Sequence, residues 1–127
     1  MLTIVSAKDV KEAYKNSVID KKKESFVIEE KGLQDFFYYF RDKFKFYEIY
    51  HKFEPYGISI IENSEIMYLR EFAESVELLI DNNFDYENEV IQRFNLSKSK
   101  IKKYIMRFKM LLEYAKNNND NLIGLGD

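Results

Sequence analysis

The sequence predicts an α+β fold: a small antiparallel sheet packed on helices, followed by a helical C-terminal half. Three observations predict it. Short runs rich in β-branched residues occur in the first half, at LTIV (2–5), SFVIE (25–29) and ISII (58–61). A turn built on the single Pro and a neighbouring Gly, EPYG (54–57), separates two segments of alternating character, which predicts a hairpin over 47–61. From Ser64 onward, apolar residues recur at helical spacing.

The elements follow in order. Residues 2–5 form a short apolar strand. Ser6 is in place for an N-cap, with Asp9 three residues on, which predicts a helix over 7–15. The charged break DKKKE precedes a second strand at 25–29. Gly32 marks a turn, and Leu33, Phe36, Phe37, Phe40 and Phe44 then share a helical face. Tyr47, Ile49 and His51 alternate with Glu48, Tyr50 and Lys52, the pattern of a strand. In the C-terminal half, Leu69, Phe72, Ala73, Val76, Leu79 and Ile80 make one stripe, ended by Asn82 and Asn83. A shorter helix covers 86–94. Ser97 caps a long last helix with the stripe Ile101, Tyr104, Ile105, Phe108, Leu111, Leu112 and Ala115. The chain of 127 residues is expected to be one domain, mixed α/β over 1–62, helical over 64–117, with a flexible tail at 118–127.

Composition excludes several functions. Apolar residues are 46% of the chain, enough to bury a core, and 11 Phe and 10 Tyr make that core aromatic. Phe36, Phe37, Phe40 and Phe44 are expected inside, and Tyr38, Tyr39, Tyr50 and Tyr56 half-exposed. With no cysteine there are no disulfides, thiolate nucleophiles or Cys-based zinc sites. No apolar run approaches the ~20 residues that span a bilayer, so a cytoplasmic protein with no membrane partner is expected. His51 is the only histidine, and neither Ser59 nor Ser64 has a nucleophile context. Asp81 to Asp85 begins like a calcium loop but lacks its central Gly. No glycine-rich phosphate loop is present. The chain is therefore expected to be no enzyme, with no catalytic residue, no metal and no cofactor.

Charge is unevenly spread. The formal charge is −2, yet residues 1–92 hold 12 basic and 19 acidic residues, whereas 93–127 hold 8 basic and 3 acidic. Between 62 and 89, nine acids face only Arg70. An acidic helical surface is suited to a partner with a basic cleft, because opposite fields raise association rates. Glu71, Glu74, Asp81 and Asp85 are the candidate steering charges. Met67 and Leu78, on the polar side of their helix, are the candidate apolar anchors. These features predict a small non-enzymatic binder of another protein, such as a toxin immunity protein or a phage-encoded inhibitor of a host defence protein. Met106 and Met110 lie opposite the core stripe of the last helix, where a homodimer contact would sit.

The alternative is a DNA-binding regulator. RFNLSKSKIKKYIMRFK (93–109) carries seven basic residues and no acid. The apolar spacing over 90–104 resembles a helix-turn-helix: Val90, Ile91 and Phe94 inward from the first helix, Asn95 in the turn, then Leu96, Ile101 and Tyr104. Ile91 and Asn95 stand where that motif usually has a small residue and Gly. The resemblance implies a nucleic-acid face over 90–107 made of Lys98, Ser99, Lys100, Lys102, Lys103 and Arg107, mostly neutralising phosphates. Glu71, Glu74, Glu77 and Asp81 on the preceding helix are also in place to neutralise these lysines within the molecule.

Overall fold

The computed structural model describes residues 1–19, 23–82 and 87–127. The fold is α+β, with a four-stranded antiparallel sheet and a helical C-terminal half. The chain runs β1 (Leu2–Ala7), α1 (Val10–Ile19), β2 (Phe26–Glu29), α2 (Leu33–Tyr39), α3 (Tyr47–Tyr50), β3 (Ile58–Ile61), α4 (Ile66–Asn82), α5 (Glu87–Phe94), α6 (Lys98–Asn117) and β4 (Asn121–Leu125). The strand order is β2-β1-β4-β3, so β2 and β3 are the edges. Leu2, Ile4, Val27, Ile61 and Leu122 point to the face that α2, α4 and α6 cover. α1 covers part of the opposite face, packing Ala13 on Val5, Ala7 and Ile123. Among the described residues no helix is long and apolar enough to cross a membrane.

Two predicted elements differ. The hairpin over 47–61 does not form, because Tyr47–Tyr50 is a short helix. The alternation of 47–52 concealed a spacing of three: Tyr47, Tyr50 and Phe53 share one helical side, and burial of Tyr50 and Phe53 selects it. Tyr50, expected half-exposed, stacks on Phe72 with centroids 4.6 Å apart and meets Phe37 edge-on at 5.1 Å. Tyr38, Tyr39 and Tyr56 are exposed as expected, and Phe36, Phe37, Phe40 and Phe44 are buried.

The predicted tail is the other difference. Residues 121–125 form the strand that joins β1 to β3, with Ile123 opposite both Val5 and Ile60. Its entry is pinned by Asp120, which accepts hydrogen bonds from Ser6 Oγ (2.8 Å) and Lys8 Nζ (2.7 Å), and whose carbonyl accepts one from Asn63 (2.7 Å). Ser6 is thus a buried strand residue rather than a cap. Asp9 caps α1 instead, accepting from the Glu12 amide at 2.8 Å. Gly124 has no side chain because a Cβ there would come within 2.5 Å of Ser59 Oγ and 3.0 Å of the Phe53 ring.

Beneath α6 the core holds one polar chain. The Tyr104 and Tyr50 hydroxyls are 2.6 Å apart, and Tyr50 donates onward to the Glu29 carboxylate. Glu29 is only 3% exposed. Loss of water around it pushes its carboxyl up to about 7, against the hydrogen bond from Tyr50 that favours the charged form.

Candidate functional site

Helix α6 divides the predicted functional residues between two surfaces. Its apolar stripe, Ile101, Tyr104, Ile105, Phe108, Leu111 and Leu112, is buried against α4 and the sheet. One flank meets α4, which runs antiparallel beside it. The other flank, turned by about 100° per residue, lies along β2.

On the α4 flank the opposite charges pair. Lys102 reaches Asp81 at 2.5 Å and Lys109 reaches Glu77 at 2.9 Å. Arg70 sits between Glu74 (3.3 Å) and Glu113 (3.5 Å). The hydrogen bond from Lys102, aided by the charge of Lys98, holds the Asp81 carboxyl below its usual range. Of the candidate steering charges, Glu74 and Asp81 are therefore engaged within the molecule. Glu71 makes no ion pair among the described residues. Asp85 lies outside the described residues.

The apolar candidates are at the surface. Met67 is 65% exposed, Leu78 63%, Met106 56% and Met110 40%. Met67, Met106 and Met110 lie along one seam between α4 and α6, in two shallow depressions of about 320 and 440 Å³ that share Arg70, Lys109 and Glu113. Leu78 lines neither depression. Met106 and Met110 were legible from the helical wheel; their union with Met67 needed the antiparallel pairing of α4 and α6.

On the β2 flank, Lys100, Lys103 and Arg107 follow one another along α6 and line a groove of about 540 Å³. The edge strand supplies the opposite wall through Phe26, Val27 and Ile28, with Tyr104 between. The Arg107 guanidinium lies 5.9 Å from the centroid of the Phe26 ring. Among the described residues no carboxylate is within ion-pair distance of Lys100 or Lys103. Sequence reasoning identified the cations of this groove but not its apolar wall.

The helix-turn-helix spacing is met at the turn and at its inward positions other than Ile91. Asn95 adopts the left-handed conformation expected of it, with φ 54°. Ser97 caps α6, accepting from the Lys100 amide at 3.1 Å. Val90, Leu96, Ile101 and Tyr104 are buried, but Ile91, expected inward, is 43% exposed. α5 packs on α2, whereas α6 packs on α4, β2 and β1. Gly32, with φ 96°, lets α2 close on the turn: a Cβ there would approach the Phe94 carbonyl to 2.6 Å. Ser99 is exposed and Lys98 half-buried.

His51 is in the turn after α3, not on a strand. It stacks on Tyr47 with centroids 5.3 Å apart, and its Nδ1 is 3.2 Å from the Tyr47 hydroxyl. Among the described residues, no group of three or more His, Cys, Asp or Glu stands close enough together to hold a metal ion. Comparison with protein-family models, with curated proteins and with solved structures finds no match to this chain.

Proposed function

We propose that this protein is a non-catalytic binder that acts by occupying another protein, as toxin immunity proteins and phage-encoded antagonists do. The observation that supports this reading is the α4–α6 seam, where Met67, Met106 and Met110 stand exposed in a line bordered by charged side chains. Methionines adapt to irregular partner surfaces, and a charged rim around apolar centres is the anatomy of a protein interface. Glu71 and Glu74 outnumber Arg70 on the outer side of α4, which favours a partner with a basic cleft. Pairing of Asp81 with Lys102 and of Glu77 with Lys109 reduces the acidic field, so shape and apolar contact carry more of the affinity than steering does.

Photo-crosslinking tests this reading, with a benzophenone amino acid placed at Met67 or Met106 and, as a control, at the exposed Tyr14 of α1. A distinct protein captured from the seam positions alone supports it. That protein should then associate more slowly with the Glu71→Lys, Glu74→Lys, Asp81→Lys variant, whose circular dichroism stays unchanged. Equal capture from Tyr14 overturns the reading. So does light scattering that finds the seam filled by a second copy of the chain.

A further inference from the structure

We propose that the groove between β2 and α6 takes an extended acidic peptide segment, added as a fifth strand on the free edge of β2 with its carboxylates toward Lys100, Lys103 and Arg107. The inference stands on residues other than those of the seam, and neither reading requires the other.

Three features of the groove converge on this occupant. The first is the edge. Among the described residues β2 pairs with β1 on one side only, so its other side carries backbone donors and acceptors without a strand partner there. Its sequence, FVIE, contains neither the Pro nor the Lys that commonly blunts an edge. A peptide backbone matches both donors and acceptors. A DNA backbone offers acceptors alone, and a fatty acid offers nothing along its length.

The second feature is the opposite wall. Lys100, Lys103 and Arg107 form one helical row spanning ~10 Å at ~1.5 Å per residue. The four residues of β2 cover ~13 Å at ~3.3 Å per residue, so row and edge are matched in length. Side chains on one face of an added strand recur every ~6.6 Å, which puts two or three carboxylates within reach of the cations. Lys100 and Lys103 have no competing ion pair among the described residues, unlike Lys102 and Lys109 on the seam.

The third is the floor. Phe26 and Ile28, which alternate with the buried Val27 and Glu29, give the alternate side chains of the peptide an apolar surface, while Tyr104 lies on the α6 side with the cations. Recognition is then divided in the usual way for strand addition: main-chain bonds hold the segment and side-chain pockets choose it. Glu30 stands at one end of the groove and disfavours a carboxylate at that end, which limits the acidic stretch to the part facing α6.

Fluorescence anisotropy of the full chain with a labelled eight-residue peptide of alternating Glu and Val tests the proposal. Saturable binding is expected. Lys100→Glu with Lys103→Glu should weaken it by about tenfold or more, as reversal of rim charges does. Lys102→Glu changes charge two residues away but faces the seam, and should leave binding unchanged. N-methylation of alternate peptide residues separates strand addition from mere charge attraction. Methylated in one frame, the peptide should no longer bind; methylated in the other, it should bind as before. Circular dichroism checks that the variants fold, and the methylated pair needs no variant at all. The proposal is overturned if both methylated peptides bind alike, or if Lys102→Glu weakens binding as much as the groove pair. Displacement of the peptide by single-stranded DNA at lower concentration than by unlabelled peptide also overturns it, assigning the groove to nucleic acid.

Discussion

The two flanks of α6 carry cations of the same kind, yet the molecule treats them oppositely. Toward α4, Lys102 and Lys109 end on Asp81 and Glu77. Toward β2, Lys100 and Lys103 end on no carboxylate among the described residues. Counting seven basic residues between 93 and 109 therefore overstates the field on one side and conceals its concentration on the other. The surface charge of a helix is decided by its neighbours, and a rotation of one residue along α6 changes the neighbour from an acidic helix to an apolar strand edge.

The flanks differ below the surface too, and the largest expected effect lies there. Glu29 is buried under the β2 flank, whereas the seam keeps its carboxylates in water. In the folded protein Glu29 holds its proton to about pH 7, and in the unfolded chain it releases it near pH ~4.3. The native state is thus favoured in acid; stability falls as pH rises between these values and is level above them. The span corresponds to ~4 kcal/mol at ~1.36 kcal/mol per unit. Glu29→Gln should remove this slope and raise stability at pH 8, measured by urea unfolding at several pH values. A slope unchanged in that variant would show that Glu29 is not its source.

Next is Gly32, which braces the turn leading into the groove flank. Gly32→Ala places a Cβ against the Phe94 carbonyl at a positive φ, and should cost ~2 kcal/mol or more. Amide shifts should concentrate at residues 94–100 and leave 102–113 nearly unmoved, since the seam is held by α4. Shifts spread evenly along α6 would erase the distinction between the flanks. The smallest effect is expected on the seam. Glu77→Gln breaks one half-exposed ion pair and should change stability by ~0–1 kcal/mol, less at high salt. A larger loss in thermal melts would mean that the seam pairs hold the helices together rather than merely balancing charge.

The α+β class and the long helices were legible because apolar residues at 69, 72, 73, 76 and 79, and at 101, 104, 105, 108, 111 and 112, repeat at helical spacing over many turns. The internal neutralisation of α4 by α6 was legible for the same reason. Local pattern failed where tertiary demand decided. Tyr47 to Phe53 fits alternation and a spacing of three equally, and only the aromatic pocket around Phe37 and Phe72 separates them. NLIGL has few residues and two turn-formers near it; its strand exists because β1 and β3 lie on either side. The groove was illegible because its walls are some seventy residues apart in sequence and come from elements with no shared pattern.

Placing β4 between β1 and β3 also fixes an order of events. The sheet is stitched together by residues made more than a hundred positions after the first strand it joins. Until they arrive, the β1–β2 pair and β3 have no ladder connecting them, however well the helices have formed. Closing so distant a pairing costs loop entropy before its contacts form, which slows this step relative to the helices. Before then the nascent chain carries two unzipped strand edges, and the sheet becomes one cooperative unit only when β4 closes between them.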